Sequence, residues 1–180
     1  MLRSRRPRGA VERVTKRGLN PPGRWKGRAG NLLFMFSDPE DRLLEYTQYL
    51  PGSLHSEDRG KHLGSHPVSR DLLRASIPVK NVTSERIFYT EKLGFAEVSA
   101  NGAVRLRLPG NSGEEVELQA IAPSAKPRIV FAVADLPSAR EDLRSRGLAP
   151  WTKDGSAVVV DPDGVIVEFA SPDPKSSSRH

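Results

Sequence analysis

The chain has no cysteine, which excludes disulfides, zinc-thiolate centres and thiol nucleophiles and leads to the expectation of a cytoplasmic protein. Aromatic residues are scarce, at 6% of 180, and only two are tryptophan. No apolar run approaches the ~20 residues of a membrane span, and the first residues lack the apolar stretch of a secretory signal. Acid is missing from one end. Residues 1–30 hold eight Arg and two Lys against Glu12 alone, so the overall charge of +6 divides into +9 there and −3 in the remainder. Such Arg-Pro-Arg-Gly composition fits a solvated terminus, and neither nucleic acid nor a membrane is expected as a partner. No Ser-His-Asp set, glycine-rich phosphate loop or paired-carboxylate hydrolase pattern stands out. Gly110-Asn111-Ser112-Gly113 reads as a hairpin turn.

What the chain does have is a repeated turn. Asp161-Pro162-Asp163-Gly164 follows the β-branched run Val158 to Val160 and precedes Val165 to Phe169, which predicts strand, tight turn and strand. Asp38-Pro39-Glu40-Asp41 stands in the same place between Leu32 to Phe36 and Leu43 to Tyr46. Both copies close with an acid before an aromatic, Glu168-Phe169 and Glu45-Tyr46. An acid inside an apolar strand requires a metal, a base or a hydrogen-bond donor as partner.

Apolar periodicity and caps divide the chain further. Residues 1–9 are expected to be a disordered basic tail, and 10–49 a helix followed by strands. Residues 50–71, broken by Pro51, Gly52, Gly60, Gly64 and Pro67, read as a linker. Residues 72–171 show strand, helix, Gly cap and three strands, twice over, with Gly94 and Gly147 as the caps. Residues 172–180 are a second disordered tail. The 10–49 segment matches the second cycle, Arg17-Gly18-Leu19 against Arg146-Gly147-Leu148 and Val14 against Leu143, but lacks an opening strand. It is therefore expected to be an incomplete unit with an exposed sheet edge, docked on the main module or self-associating as a homodimer; a truncated reading frame would produce the same pattern.

Leu72-Leu73-Arg74-Ala75-Ser76-Ile77-Pro78-Val79, Phe88-Tyr89-Thr90-Glu91-Lys92-Leu93-Gly94-Phe95, Val116-Glu117-Leu118 and Asp161 to Phe169, in that order, resemble the vicinal oxygen chelate superfamily of glyoxalases, bleomycin-resistance proteins and extradiol dioxygenases. The resemblance covers residues 72–171 fully and 10–49 in part. It implies an α+β fold in which paired βαβββ units enclose a cup in a mixed sheet, here preceded by an incomplete third unit. It also implies a divalent-metal site with ligands on the first and last strands of each unit, commonly His and Glu.

Mapped onto this chain, those positions are Arg74, Glu117, Arg128 and Glu168. Both carboxylates are in place, while guanidinium groups stand where imidazoles would be. Arginine keeps its proton and offers no lone pair, so Glu117 and Glu168 remain as the metal candidates. Two guanidinium groups facing two carboxylates would also be neutral without a cation, so we expect an ion-pair cluster, no resident cofactor, and a small, anionic molecule bound through Arg74 and Arg128. The alternative is a divalent-metal-dependent enzyme of the glyoxalase or dioxygenase type. His55, His62, His66 and His180 are read as solvated, Trp25 and Trp151 as packed against the sheet, and Tyr89 as packed with its hydroxyl in solvent.

Overall fold

The computed structural model describes residues 2–3, 7–58, 61, 67–69, 71–100, 103–110, 113–122 and 125–171. The expectations for His62, His66, His180, the tail at 172–180 and the tip of the 110–113 turn lie outside these residues. The chain forms two compact units, one comprising Met1–Gly64 with Thr83–Phe95, the other Ser65–Val82 with Ala96–His180.

In the first unit, β1 (Leu2–Arg3), α1 (Pro7–Lys16), β2 (Trp25–Lys26), β3 (Leu32–Ser37), β4 (Leu43–Gln48) and α2 (Leu54–Glu57) come in sequence, joined by α3 (Val82–Ile87), which runs on as a π-helical turn over Phe88–Lys92. The sheet order is β1-β4-β3-β2. Two differences from the sequence reading are local. Leu2 and Arg3 pair in parallel with Tyr46 and Thr47, so part of the edge of β4 expected to be open is covered, and α1 begins at Pro7, where proline's fixed φ suits a helix start. The stretch read as a linker contains α2, whose first amide, Leu54 N–H, donates to the Ala29 carbonyl at 2.9 Å.

The scarce aromatics are concentrated here. Phe34, Phe36, Tyr46, Phe88, Tyr89 and Phe95 form one connected cluster, with centroids 5.1 Å apart for Phe34 and Tyr46 and 6.3 Å for Phe36 and Phe88. All six are buried. The cluster explains why α3 and the π-helical turn after it group with the first 64 residues and not with the module expected to span 72–171: Phe88 of that turn meets Phe36 of β3. Ala10 and Val14 of α1 are also buried. Burial pushes the Tyr46 hydroxyl up to about 12 while Arg13 and Arg17, beside α1's C-terminus, draw it back. Tyr89 corrects the sequence reading, since its hydroxyl is buried and its ring is 2% exposed.

The repeat seen in the sequence is a repeat of hydrogen bonds. Asp38 Oδ1 accepts from the Glu40 and Arg42 amides at 3.0 and 2.9 Å, and Asp161 Oδ1 from the Asp163 and Val165 amides at 2.9 and 2.8 Å. In each turn the fourth residue is left-handed, Asp41 at φ 63° and Gly164 at φ 84°. The helix ends match too: Leu19 N–H reaches the Val14 carbonyl and Leu148 N–H the Leu143 carbonyl, both at 3.0 Å, around left-handed Gly18 and Gly147.

The second unit contains β5 (Asp71–Val79), β6 (Ala96–Ala100), β7 (Ala103–Arg107), β8 (Glu115–Ala120), β9 (Arg128–Ala132), α4 (Leu136–Ser145), β10 (Trp151–Lys153), β11 (Ser156–Val160) and β12 (Ile166–Ala170). They form a mixed sheet ordered β10-β11-β12-β9-β5-β8-β7-β6, antiparallel at its centre where β5 meets β9 and parallel where β5 meets β8 and β9 meets β12. Asp135 caps α4 by accepting from Ser138 N–H at 2.9 Å. Ala139 and Leu143 of α4 pack with Ala157, Val159 and Phe169 on one face of the sheet. The protein is thus α+β with a large mixed sheet and few helices. Because side chains alternate along each strand, the other face carries the charged residues of β5, β7 and β8 together with apolar residues of β9 to β12.

Candidate functional site

That other face is organised in rows by the strand register. One row reads Trp151, Val158, Glu168, Val130, Arg74, Glu115, Arg107 and Ala96 across the full width of the sheet. The next reads Val160, Ile166, Arg128, Ser76, Glu117, Arg105 and Val98. The paired strands β5 and β9 oppose Arg74 with Val130 and, by continuation of the same register, Ser76 with Arg128, so a local two-fold exchanges Arg74 with Arg128 and Glu117 with Glu168. The four positions singled out in the sequence are brought together at the centre of the sheet.

Their contacts are unequal. Arg74 Nε lies 3.5 Å from Glu117 Oε2 and its NH1 3.8 Å from Glu115 Oε2. Arg128 NH1 lies 3.8 Å from Glu168 Oε2. Arg105 Nε donates to Glu117 Oε2 at 3.2 Å, and Arg107 to Glu115 Oε1 at 2.8 Å. Ser156 Oγ donates to Glu168 Oε1 at 2.9 Å, while Ser76 Oγ accepts from the Arg128 amide at 2.6 Å. Burial, followed by the like charge of Arg105, lowers the Arg74 pKa from its ordinary value; Glu117, Glu115 and Glu168 oppose that shift.

Arg105, Arg107, Glu115, Ser76 and Ser156 were not picked out in the sequence. A signal for three of them was present: Arg105-x-Arg107 and Glu115-x-Glu117 flank one hairpin, and pairing 107 with 115 puts all four on one face. Trp25 and Trp151 also differ from expectation. They stand on the outermost strands of their two sheets, 42% and 44% exposed, because β2 and β10 have a neighbour on one side only. His55 is exposed, as expected, with Nδ1 2.9 Å from Asn31 Nδ2 and its ring stacked on Tyr49.

A divalent cation does not fit this donor set. Of the four mapped positions, two are guanidinium groups without a lone pair, and the two carboxylates already face cations or a hydroxyl. Among the described residues, no group of three or more His, Cys, Asp or Glu could hold a metal ion.

A second charged cluster, not anticipated from the sequence, lies in the first unit. Arg42 pairs with Asp38 at 2.7 Å, Glu40 at 3.1 Å and Glu85 at 3.1 Å, and the Asp38 and Glu85 side chains are fully buried. It ties the β3–β4 turn to α3. Burial and then the Asp38 carboxylate raise the Glu85 pKa above its ordinary 4.5, with Arg42 pulling the other way; the Tyr89 hydroxyl beside them is raised as well, first by burial. Between pH 4.5 and that raised value, the folded state therefore retains a proton on Glu85 that the unfolded chain has released. The resulting stabilisation is complete below pH 4.5 and is lost as pH rises through the higher folded value. In Glu85→Gln, which keeps the shape and removes the titration, the thermal midpoint is expected to decline less than that of the parent protein over this interval. Melting curves from pH 4 upward decide it; parallel profiles would exclude Glu85 as the source.

No family model matches the sequence, and no curated protein matches it. Solved structures do match. 2,2',3-Trihydroxybiphenyl 1,2-dioxygenase from Sphingomonas wittichii strain RW1 is 17% identical with a TM-score of 0.62, over 92% of this chain and 66% of that one. The Mn(II)-bound glyoxalase from Novosphingobium aromaticivorans is 15% identical with a TM-score of 0.60, over 91% of this chain and 58% of that one. BphC, a halotolerant catechol dioxygenase, is 13% identical with a TM-score of 0.57, over 94% and 65%. Similarity at this level of identity speaks to architecture, and it agrees with the paired arrangement of β5 to β12 about the β5–β9 seam. The chain has the fold of the vicinal oxygen chelate superfamily.

Proposed function

We propose that this chain binds a small molecule on the charged face of its eight-stranded sheet and does so without a resident divalent metal. One observation carries the reading. Arg74 and Arg128 stand at the two positions where imidazole ligands would be needed, and their guanidinium groups face Glu117 and Glu168 at 3.5 and 3.8 Å. Two carboxylates that would neutralise a divalent cation instead neutralise arginine. The partly exposed Arg128 guanidinium on this face suits an anionic ligand. On this reading, the first unit is a shortened counterpart of the strand, helix and three-strand run, supported by its matching turn at Asp38 and helix end at Gly18.

A metal-dependent enzyme is the second reading, favoured by the neighbours, which include a Mn(II)-bound glyoxalase, and by the survival of Glu117 and Glu168. Fold alone does not choose between them. Elemental analysis of the purified full chain does. We expect Mn, Fe, Ni, Cu and Zn far below one equivalent, unchanged in Glu117→Gln and Glu168→Gln. A stoichiometric metal that both substitutions remove would overturn the proposal in favour of the enzyme.

A further inference from the structure

The ion pairs on the charged face leave one guanidinium under-matched. Arg74 faces two carboxylates, Arg105 lies 3.2 Å from Glu117 and Arg107 2.8 Å from Glu115. Arg128 has Glu168 Oε2 at 3.8 Å, beyond hydrogen-bond reach, and the other oxygen of that carboxylate is taken by Ser156. In the two central rows, four guanidinium groups meet three carboxylates, one positive charge in excess. Lys153 and Asp71, at opposite ends of the next row, offset each other.

The face is also polarised. From β5 toward β6 the rows are charged, whereas toward β10 they are apolar: Ile166 and Val160 continue the row of Arg128, and Val158 and Trp151 end the neighbouring one. Val160 and Trp151 are 40% and 44% exposed, and the Arg128 side chain 25%. The partly exposed Arg128 fork thus adjoins an apolar strip that is half-buried at Ile166, open at Val160 and Trp151, and closed between those two at Val158, which is 1% exposed. A ligand that complements both has one negative charge, planar geometry to match the fork, and an apolar body of ring size.

We infer that Arg128 and the strip from Ile166 to Trp151 bind a monocarboxylate with an apolar, ring-sized body, and that Arg74 serves as an internal counter-ion, not as a ligand contact. This rests on the reading of the face as a small-molecule site. It separates the two arginines that the sequence treated as equivalent. It also assigns charge recognition to one half of the sheet and shape recognition to the other.

Calorimetry on the full chain with benzoate, acetate and benzamide as probes tests it. Benzoate is expected to bind more tightly than acetate, which lacks the apolar body, and than benzamide, which lacks the charge. Arg128→Gln should weaken benzoate by about tenfold or more, the scale of a lost charge-assisted pair. Arg107→Gln, which removes the same charge from the other half of the face, should leave the affinity nearly unchanged. Trp151→Ala should weaken benzoate and leave acetate unaffected. If Arg128→Gln proves unstable, amide chemical shifts of the parent protein on titration with benzoate give the same answer, with changes expected at Arg128, Ile166 and Val160. Equal affinity for acetate and benzoate would overturn the apolar strip, and benzoate binding lost in Arg107→Gln but kept in Arg128→Gln would overturn the anchor. No binding of any probe would overturn the inference as a whole, while elemental analysis would still report separately on the metal-free reading.

Discussion

Phe36→Ala is expected to lower stability by about 3–5 kcal/mol, the cost of emptying a buried aromatic site, with a correspondingly large fall in thermal midpoint. Phe36 is the ring that joins the two halves of the first unit's core. It lies 6.0 Å from Phe34 and 5.8 Å from Tyr46 on the sheet, and 6.3 Å from Phe88 on the helix. Truncating it leaves Phe88 facing a cavity and uncouples α3 from the sheet. A more drastic version removes residues 1–60 altogether. That deletion strips Phe34, Phe36 and Tyr46 from the cluster and Asp38, Glu40 and Arg42 from Glu85, leaving Phe88, Tyr89, Phe95 and a carboxylate without the partners they have in the unit. The truncated chain is expected to bind a hydrophobic dye, to melt over a broad range and to self-associate on a sizing column. A truncated monomer that melts cooperatively at the parent temperature would show that residues 1–60 are dispensable to α3.

The division of labour between local and distant interactions explains what could be read from the sequence. The turns at Asp38 and Asp161 and the ends at Gly18 and Gly147 are built from hydrogen bonds within six residues, so Asp-Pro-x-[Asp/Gly] and Arg-Gly-Leu announced them. Arg74, Glu117, Arg128 and Glu168 were named together through the family resemblance, and the strand register puts them on one face. The preference of α3 for the first unit was not legible, because it depends on Phe36 meeting Phe88 across 52 positions of chain, and no local pattern encodes that contact. The Arg42 to Glu85 pair was hidden for the same reason. Leu2 and Arg3 were obscured by the basic composition around them, which describes solvation well but says nothing of pairing with a sheet edge. The surplus charge at Arg128 was missed because Arg105, Arg107 and Glu115 enter the balance only once the β7–β8 register is known.

Arg74→Ala should be the most damaging single change on the charged face, and the reason lies in what it leaves behind. The Arg74 side chain is 14% exposed and stands between Glu115 and Glu117, whose side chains are 15% and 11% exposed. With it gone, buried Glu117 and half-buried Glu115, on the same strand, lose the cation between them. Arg105 and Arg107 remain beside them, 27% and 42% exposed, where water screens much of their effect. Removing one partner of a buried pair costs about 3–5 kcal/mol; because these groups are only partly buried, we expect about 2–3 kcal/mol for Arg74→Ala in denaturant titrations at neutral pH. Arg107→Ala, the most exposed of the four arginines, should cost under about 1 kcal/mol. The charge argument makes a sharper demand on the double variant. Arg74→Met with Glu117→Gln removes a cation and an anion together, keeps the volume, and should recover most of the loss seen in Arg74→Met alone, leaving a non-additivity of about 1–2 kcal/mol. Strict additivity of the two substitutions would mean that Arg74 stabilises the sheet through the packing of its methylene stem, and that the ion pair of Glu117 is the one with Arg105, 3.2 Å away.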